Sequence, residues 1–389
     1  MENYDVVVVG SGFSGSVLAY QMAAVLRKRV LIVEKRAQIG GNMYDCLDDN
    51  GIRIQKYGPH VFHTNSTDVF RFLSQFCTWT EYHLKCEAVI DGQPTPTPFN
   101  FKTIDQFLAP GKADALKRAL LARYPCASAT ILEMLQCEDG EIRAYAEFLF
   151  EKDYRPYTAK QWGLRPEEID PTILRRVPVI FSDRDTYFTD RHQGLPDGGF
   201  TALFSRMLDH PLIAVQRNTD ALDHISFSQN AAQYDGQSLP IVYTGAVDEL
   251  FRYRYGHLPY RSLWFDYQSY GQKSYQNVAI VAHPLDMDCT RITEYTKLPH
   301  QSVGERTIIA KEYSLAYDRW AEKGNEPYYP VLTQESQNTY RRYREYANSY
   351  GNLFLCGRLA DFKYYNMDAA VQNALCLFEH RLRKEVYGA

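Results

Sequence analysis

The N-terminal strand, turn and helix are the feature that most constrains the fold of this chain. An apolar, β-branched run at residues 4–9 leads into a glycine-rich turn at residues 10–15, a helical pattern, a second apolar run at residues 30–33 and then Glu34. In this order the glycines permit a sharp turn, close approach of a pyrophosphate and close packing of helix on strand, while the acid accepts hydrogen bonds from a ribose. The helix N-terminus adds N–H groups that suit phosphate. The sequence therefore predicts a Rossmann-like unit that binds an adenine dinucleotide.

A second glycine pair, Gly40-Gly41, follows Glu34 after a short interval and precedes Asn42. This arrangement is more typical of FAD-binding oxidoreductases than of soluble NAD dehydrogenases, so we predict FAD as the cofactor. The alternative is that the glycine pair forms only a surface turn.

Composition and charge indicate which classes of partner and which cellular compartment are compatible with this sequence. The net charge of −4 gives no sign of a nucleic-acid partner or of a basic membrane-facing surface, and no apolar run is long enough to cross a bilayer. Glu2 and Asp5 make the apolar N-terminus unlike a signal peptide. The eight cysteines form no Cys-x-x-Cys pair and have no matching histidine spacing. We therefore expect no metal site and no membrane partner, and a cytoplasmic protein with reduced thiols.

The apolar periodicity changes along the 389 residues, which are enough for two or three domains. A period of three or four residues between 103 and 165 predicts a cluster of amphipathic helices, and alternation between 261 and 313 predicts an antiparallel sheet. We predict an α/β fold: a discontinuous Rossmann-like FAD-binding domain with an inserted helical domain and an inserted antiparallel β-sheet domain. The predicted bounds are 1–82, 196–248 and 331–389 for the FAD-binding domain, 102–178 for the helical domain, and 83–101, 179–195 and 249–330 for the sheet domain lining the substrate cleft.

Residues 57–64 include a Gly-Pro pair and two histidines, His60 and His63, and are predicted to form a loop or short turn. Each histidine is either functional or simply packed. The chain also has 30 tyrosines against 20 phenylalanines. Tyrosine supplies a stacking face and a hydroxyl, which suits a sugar-nucleotide site, although half-buried packing is the alternative for any single ring.

Nine further motifs, taken in order, carry a resemblance that covers essentially the whole chain. The sequence resembles the UDP-galactopyranose mutase family. Beside the glycine turn, the matching motifs are Gly-Pro-His-Val-Phe-His-Thr at 58–64, Tyr157-Thr-Ala-Lys-Gln-Trp162, Arg176-Val-Pro, Tyr187-Phe, Tyr260-Arg-Ser-Leu263, Thr290-Arg-Ile292, Glu326-Pro-Tyr-Tyr-Pro330, Cys356-Gly-Arg-Leu and Tyr364-Tyr-Asn-Met-Asp368.

The resemblance implies an isomerase that interconverts the pyranose and furanose forms of a nucleotide sugar, most directly UDP-galactopyranose and UDP-galactofuranose. In that family the N5 atom of reduced FAD attacks the anomeric carbon, so no protein nucleophile is needed, and none is evident in this sequence. It also implies an external reductant, a homodimer and a role in cell-surface polysaccharide biosynthesis.

The resemblance assigns the site residues. The implied catalytic residues are His63, Arg176 and Arg291, and His63 either transfers a proton or only packs near the flavin. The implied substrate-binding residues are Tyr157, Thr158, Trp162, Arg176, Tyr187, Arg254 (a weaker match), Arg291, Tyr329, Tyr364 and Asn366. With the glycine turn, the cofactor-binding residues are Gly10, Gly12, Phe13, Ser14, Gly15, Glu34, Lys35, Gly41, Asn42, His60, Val61, Arg358, Met367 and Asp368.

Some residues depart from the family pattern. Ala282-His283-Pro284 replaces an expected asparagine and tyrosine, and Asn366 stands where many members have aspartate. These departures leave UDP-N-acetylgalactosamine or a dTDP-6-deoxyhexose open as the substrate. Two different functions also stay open, namely an amine-oxidase-like FAD oxidoreductase and a non-catalytic sugar-nucleotide sensor. Residues 161–185 are expected to contain a mobile lid over the substrate.

Overall fold

The computed structural model describes residues 4–165, 174, 177–301, 304–386 and 388. The strands, in chain order, are β1 (Val6–Val9), β2 (Val30–Val33), β3 (Asp45–Leu47), β4 (Arg53–Gln55), β5 (Phe62–Thr64), β6 (Trp79–Glu81), β7 (Cys86–Ile90), β8 (Gln93–Thr97), β9 (Ser128–Ala129), β10 (Val179–Ile180), β11 (His192–Pro196), β12 (Ile213–Gln216), β13 (Ile225–Phe227), β14 (Ala232–Tyr234), β15 (Ile241–Tyr243), β16 (Tyr260–Tyr270), β17 (Ile280–Ala282), β18 (Arg291–Glu294), β19 (Thr307–Ala316), β20 (Tyr329–Pro330) and β21 (Leu353–Leu355).

The α-helices are α1 (Phe13–Ala24), α2 (Thr67–Leu73), α3 (Phe101–Phe107), α4 (Pro110–Arg123), α5 (Ile131–Leu135), α6 (Gly140–Leu149), α7 (Arg155–Trp162), α8 (Phe200–Leu208), α9 (Val247–Leu250), α10 (Gln334–Asn348) and α11 (Met367–Leu377). Two π-helical segments, Phe150–Tyr154 and Phe378–Val386, continue α6 and α11. No helix in the described part of the chain combines the length and apolar character that crossing a bilayer requires.

A five-stranded parallel sheet with the order β12-β2-β1-β15-β21 forms the core of the nucleotide-binding unit. Because side chains alternate across a strand, Val6 and Val8 of β1 pack into one apolar cluster and Val7 into another. Helices α1 and α11 pack against each other over the first face, and Tyr343 of α10 is buried in the second cluster. The sheet is therefore covered on both sides, as a doubly wound fold requires.

Two glycines of the N-terminal turn are required by the geometry of the backbone. Gly10 has a φ of +96°, and a Cβ atom there would lie 2.2 Å from Thr244 Oγ1. Gly15 lies in α1, where a Cβ atom would approach the carbonyl oxygen of Gly10 to 2.0 Å. Both distances agree with the predicted roles, which are the sharp turn for Gly10 and the close packing of helix on strand for Gly15.

A seven-stranded sheet with the order β20-β16-β19-β18-β17-β7-β8 forms the second layer. The expected antiparallel pattern holds at every pair except β17 and β7, which run parallel. A hairpin fixes antiparallel pairing, but β7 and β17 are separated by the whole helical region, so no short turn sets their relative direction. The predicted antiparallel sheet is therefore present, with one parallel pair of strands, β17 and β7, in its middle.

The helices α3 to α6 surround their own apolar cluster, which also includes Ala88 and Ile90 of β7. The predicted helical cluster is thus confirmed. The two strands that begin between residues 179 and 195 do not join the seven-stranded sheet: β10 pairs with β9, and β11 lies between β5 and β6. The three-domain division, with its bounds, stays a prediction.

Substituting Gly15 with alanine tests the close contact between α1 and β1. The new methyl group meets backbone rather than a flexible side chain, so we expect Gly15→Ala to lower the free energy of unfolding by about 1–3 kcal/mol. Gly111→Ala is the matched control, since Gly111 is also helical and a Cβ atom there meets nothing within 4 Å. Urea unfolding of both variants measures the difference, and equal stabilities would contradict the packing role of Gly15.

Candidate active site

Two connected cavities lie where the parallel sheet meets the seven-stranded sheet. The glycine-turn cavity, about 270 Å³, is lined by the N-terminal turn and by the loops after β2, β15 and β21. The central cavity, about 290 Å³, is lined by residues of β5, β7, β18, α7 and the N-terminus of α11. Arg358, Asn366 and Met367 line both cavities. A long ligand that fills the first cavity therefore reaches the second.

The glycine-turn cavity contains most of the predicted cofactor residues. Gly12 is the N-cap of α1 and no side chain caps this helix, so its first N–H groups face the cavity. Glu34 is buried, accepts hydrogen bonds from Ser11 N and Ser11 Oγ at Oε2, and accepts one from Arg36 N at Oε1. Of the predicted cofactor residues, those lining this cavity are Gly10, Gly12, Phe13, Ser14, Gly15, Glu34, Lys35, Gly41, Asn42, Arg358 and Met367.

Arg36 is a cofactor-site residue that the sequence analysis missed. Its Nη2 donates to Glu326 Oε2 at 2.7 Å, and its guanidinium lies 4.2 Å from the centre of the Tyr57 ring. Burial alone would lower the pKa of Arg36, but the charge of Glu326 raises it overall. Nη1 is buried and has no hydrogen-bond partner. Arg36 is therefore an inward-facing cation of this cavity, whereas its neighbour Lys35 is exposed.

Arg291 supplies the positive charge on the β18 side of the central cavity. Its Nε donates to Glu312 Oε2 at 2.7 Å, and the Glu312 side chain is 1% exposed. Burial alone would lower the pKa of Arg291, whereas the charge of Glu312 raises it well above the ordinary value. The described residues accept no bond from its two Nη atoms, so these donors are available to an anion.

Three aromatic residues and Arg358 form the part of the central cavity next to α11. Tyr329 and Tyr364 have ring centres 5.3 Å apart, and Trp162 lies 5.8 Å from Tyr329. The Arg358 guanidinium lies 5.3 Å from Tyr329 and 5.1 Å from Tyr364. Burial raises the pKa of Tyr329 to about 12. Its phenol therefore stays neutral and can donate a hydrogen bond at neutral pH.

Helix α7 presents Tyr157, Thr158 and Trp162 to the central cavity and ends at Gly163, which has a φ of +66°. Two contacts fix this end of the helix to the seven-stranded sheet and its loops. Lys160 Nζ donates to the carbonyl oxygens of residues 283, 287 and 289, and Arg261 Nε donates to the carbonyl oxygen of residue 161. The predicted polar-aromatic set is thus held on a rigid element.

Both histidines of residues 57–64 line the central cavity, but His63 lies on strand β5 rather than on the predicted loop. Pairing of β5 with β11 explains the difference, since the partner strand is distant in sequence. His63 Nδ1 lies 2.9 Å from Asp190 Oδ2, and its ring stacks on Phe188 with centres 3.7 Å apart. Phe188 and Asp190 are further site residues that the sequence analysis missed.

His60 is half-buried, and its Nδ1 atom is buried without a hydrogen-bond partner. Burial, together with the charges of Arg358 and Arg291, lowers the pKa of His60 to about 3. The ring is therefore neutral at physiological pH, and one unpaired nitrogen is left for a ligand.

The structure does not bring every predicted residue to the cavities. Tyr187 and Val61 line the central cavity, but Arg254 is exposed, lies 4.7 Å from the ring centre of Tyr346 and lines neither cavity. Asp368 also lines neither cavity; it accepts hydrogen bonds from Thr64 Oγ1 and Ala369 N. The structure therefore does not bring these two residues to either cavity, and their binding roles stay predictions.

Arg176 lies outside the described residues, as does much of the predicted lid at 161–185. Of that segment, residues 161–165, 174 and 177–185 are described, and the central cavity is lined by Gln161, Trp162, Leu174 and Val177.

Comparison with known proteins decides the family. A model of the UDP-galactopyranose mutase family matches residues 152–364, and a model of the NAD(P)-binding Rossmann-like domain matches residues 8–76. A UDP-galactopyranose mutase of Mycoplasma pneumoniae is 35% identical over 387 residues, covering 98% of this chain and 96% of the relative. The chain belongs to the UDP-galactopyranose mutase family. A dTDP-fucopyranose mutase of Escherichia coli is 31% identical, covering 95% of this chain and 96% of the relative.

Solved structures agree on the fold. A reduced UDP-galactopyranose mutase aligns with a TM-score of 0.69 at 17% identity, covering 98% of this chain and 94% of that one. Putrescine oxidase with bound putrescine aligns with a TM-score of 0.55 at 14% identity, covering 95% and 97%. At these identities the likeness shows the fold alone, and the predicted fold class is confirmed. Membership of the mutase family identifies the protein as an isomerase and, with the Rossmann-like match, supports a flavin cofactor.

The residues of this family member fit a flavin dinucleotide. An uncapped helix N-terminus faces the glycine-turn cavity, and two buried nitrogens without partners, Arg36 Nη1 and His60 Nδ1, belong to residues that line the two cavities. Buried polar atoms in native proteins are nearly always hydrogen-bonded, so these atoms point to a bound group that completes them.

Replacing His60 tests its neutral state. An unfolded histidine has a pKa of about 6.5, whereas the pKa of folded His60 is about 3. Between these values the unfolded state binds more protons, so stability is present above pH 6.5 and is lost as the pH falls. We expect His60→Gln to reduce the loss of unfolding free energy between pH 7 and pH 5 by about 1–2 kcal/mol.

Urea unfolding at the two pH values measures this change. His257→Gln, which alters an exposed histidine that lines neither cavity, is the control. An unchanged pH dependence in His60→Gln would mean that folding does not lower the pKa of His60.

Proposed function

We propose that this protein converts UDP-galactopyranose into UDP-galactofuranose, with reduced FAD as its cofactor. The observation that carries the proposal is the single cavity wall formed by Arg291, Arg358, Tyr329 and Tyr364 beside the junction of the two cavities. Cations and phenol hydroxyl groups that line one cavity suit a diphosphate group that gains negative charge as it leaves a sugar. The name of the Mycoplasma pneumoniae relative supports this choice of substrate.

Arg291 acts on the leaving group through its charge and its position. Glu312 accepts a hydrogen bond from Nε of Arg291, which orients the two Nη groups toward the cavity. The side chain therefore does not have to reorganise when the diphosphate departs. Electrostatic contacts of this kind accelerate a reaction when they tighten in the transition state. The hydroxyl groups of Tyr329 and Tyr364 add hydrogen-bond donors on the same cavity wall.

A bound, reduced flavin would supply an electron pair at N5 to the anomeric carbon, from which the diphosphate would leave with the electrons of its own bond to the sugar. The protein's own part at that end is positional. His60 is neutral and offers Nδ1 within the cavity, and His63 is oriented by Asp190 and Phe188. With Nδ1 directed to Asp190, Nε2 is the nitrogen of His63 that can hold or transfer a proton at the cavity. We retain Arg176 as a second diphosphate ligand on the family resemblance.

The second candidate substrate is a related nucleotide sugar, either UDP-N-acetylgalactosamine or a dTDP-6-deoxyhexose. The dTDP-fucopyranose mutase relative favours this group. Ala282 lines the central cavity with no hydrogen-bonding side chain, while His283 is buried and pairs with Asp286 at 2.9 Å. The third candidate is amine-oxidase-like oxidation, which shares the fold with putrescine oxidase. A cavity lined by arginines and tyrosines suits an anionic substrate better than an amine.

The wider setting belongs to the same proposal. We infer an external reductant, a homodimer, a closing lid within 161–185 and a role in cell-surface polysaccharide synthesis, all from the family resemblance. We infer the cytoplasm as compartment, because all eight cysteines are free and reduced thiols persist there.

Reduced protein incubated with a panel of nucleotide sugars tests the function. A single dithionite reduction, without any external electron acceptor, is expected to support many turnovers of UDP-galactopyranose to the furanose form, read by chromatography. Turnover that requires oxygen or another acceptor would instead indicate an oxidase. Conversion of only a dTDP-linked sugar would select the second candidate.

Removal of Arg291 is expected to impair chemistry rather than cofactor binding. We expect Arg291→Ala to keep its yellow flavin spectrum and to lose kcat on the order of 100-fold, because one charged donor to the leaving group is lost. Arg71→Ala is the control: it removes an exposed arginine of α2 that lines neither cavity, and we expect activity within about twofold of wild type. Equal loss of flavin in Arg291→Ala would place this residue in the cofactor site.

A further inference from the structure

Gln55 is a buried residue that lines neither cavity but contacts a residue that does. It is the last residue of β4 and is 3% exposed. Its Oε1 accepts a hydrogen bond from His60 N at 2.6 Å, and its Nε2 donates one to His60 O at 3.0 Å. Two bonds from one planar amide restrain the orientation of the His60 backbone as well as its distance. We call this pair of hydrogen bonds the Gln55 clamp.

The Gln55 clamp holds one end of the loop between β4 and β5. This loop spans residues 56–61, and most of it lines the central cavity. At its other end, the carbonyl oxygen of Tyr57 accepts a hydrogen bond from the hydroxyl group of Tyr328 at 2.8 Å. The loop therefore runs between two fixed points, and the ring of His60 is attached at the point that Gln55 holds.

The clamp is itself anchored in the seven-stranded sheet. The carbonyl oxygen of Gln55 accepts hydrogen bonds from the hydroxyl groups of Tyr267 at 2.9 Å and Tyr295 at 2.8 Å. Tyr267 lies on β16, whereas Tyr295 directly follows β18 and is fully buried. Arg291 is the first residue of β18. The same strand therefore positions the cation for the leaving group and, through Tyr295 and Gln55, the histidine on the cofactor side.

The position of His60 matters because of the groups around it. Its ring lines the central cavity, where the charges of Arg358 and Arg291 act on it. Arg358 also lines the glycine-turn cavity, so His60 lies near the junction of the two cavities. Residues 56–61 form neither helix nor strand. The place of the His60 ring therefore depends on contacts such as the Gln55 clamp, and not on a strand ladder.

We propose that Gln55 is a positioning residue for the reaction: by holding the backbone of His60, it fixes the ring of that histidine beside the bound flavin. Gln55 lines neither cavity, so it acts through His60 and not by a contact of its own. The inference rests on the proposed function, in which the chemistry takes place at the flavin. Because precise placement of groups at the reacting centre lowers the barrier, Gln55 contributes to the chemical step rather than to substrate affinity.

A second glutamine of the same kind provides a matched control. Gln301 Oε1 accepts a hydrogen bond from Arg53 N at 2.9 Å, and its Nε2 donates one to Arg53 O at 3.0 Å. Arg53 is the first residue of β4, two positions before Gln55, and neither Arg53 nor Gln301 lines a cavity. Substituting either glutamine thus removes the same pair of bonds from the same part of the fold, but only one of them holds a cavity residue.

Two methionine variants of the holoenzyme test this role, since methionine has nearly the shape of glutamine but cannot form the two bonds. We expect Gln55→Met to change the visible circular dichroism of the bound flavin. We also expect it to speed hydrogen exchange at the His60 amide about 10-fold, read by mass spectrometry. Its kcat should fall about 10-fold, with KM within about twofold of wild type. Gln301→Met should keep the flavin signal and, within about twofold, the kcat of wild type.

The outcomes separate this inference from the proposed function. A wild-type flavin signal and kcat in Gln55→Met, or equal effects in the two variants, overturn the positioning role while turnover by wild type stands. Failure of wild type to retain flavin or to convert UDP-galactopyranose overturns the proposed function itself.

A shorter amide and the wild-type protein keep the test decisive if Gln55→Met does not fold. The side chain in Gln55→Asn is one methylene too short to reach both backbone groups of His60, so a wild-type flavin signal in that variant contradicts the role of the clamp. Rapid exchange of the His60 amide in wild type contradicts it without any variant.

Discussion

The ion pair between Arg291 and Glu312 is the interaction on which the site depends. The two residues are directly opposite each other on β18 and β19, and Glu312 is almost fully buried. A buried carboxylate is costly unless it is paired and hydrogen-bonded, and Glu312 also accepts a bond from Thr290 Oγ1. Because side chains alternate across a strand, a one-residue shift of this pairing would turn Arg291 away from the cavity. The position of the leaving-group cation is therefore set by sheet register.

The parts of the fold that local sequence determines were predictable. The glycine turn has one physical solution, since Gly10 needs a left-handed backbone and Gly15 has no room for a side chain. The strands at 30–33 and 241–243 and the helical spacing of Tyr157, Thr158 and Trp162 follow from short-range periodicity. Most of the site residues that the family resemblance implies also line one of the two cavities.

Residues whose roles arise only from distant contacts were not predictable. Arg36 resembles its exposed neighbour Lys35 in sequence, but it is held inward by tertiary contacts with Tyr57 and with Glu326, which lies far along the chain. His63 was predicted on a loop because the strand that pairs with β5 is contributed by residues 192–196. Arg254 is the converse case: it matches a family position in the sequence, but in the structure it packs on Tyr346 at the surface. These differences between prediction and structure depend on contacts between residues that are far apart in the sequence. No short-range pattern in the sequence indicates such contacts.

The parallel pairing of β7 with β17 bears on how the chain folds during synthesis. Ile280 lies beside Cys86, so the middle of the mixed sheet closes only after the ribosome has released the segment that carries β17. Until then the β7–β8 hairpin has an open edge, and open edges invite pairing with other chains. Pairing of strands that are distant in sequence also slows folding, because the chain between β7 and β17 must lose conformational entropy before the two strands can pair. Nascent chains are accordingly most vulnerable to aggregation between the emergence of the helical region and the arrival of β17.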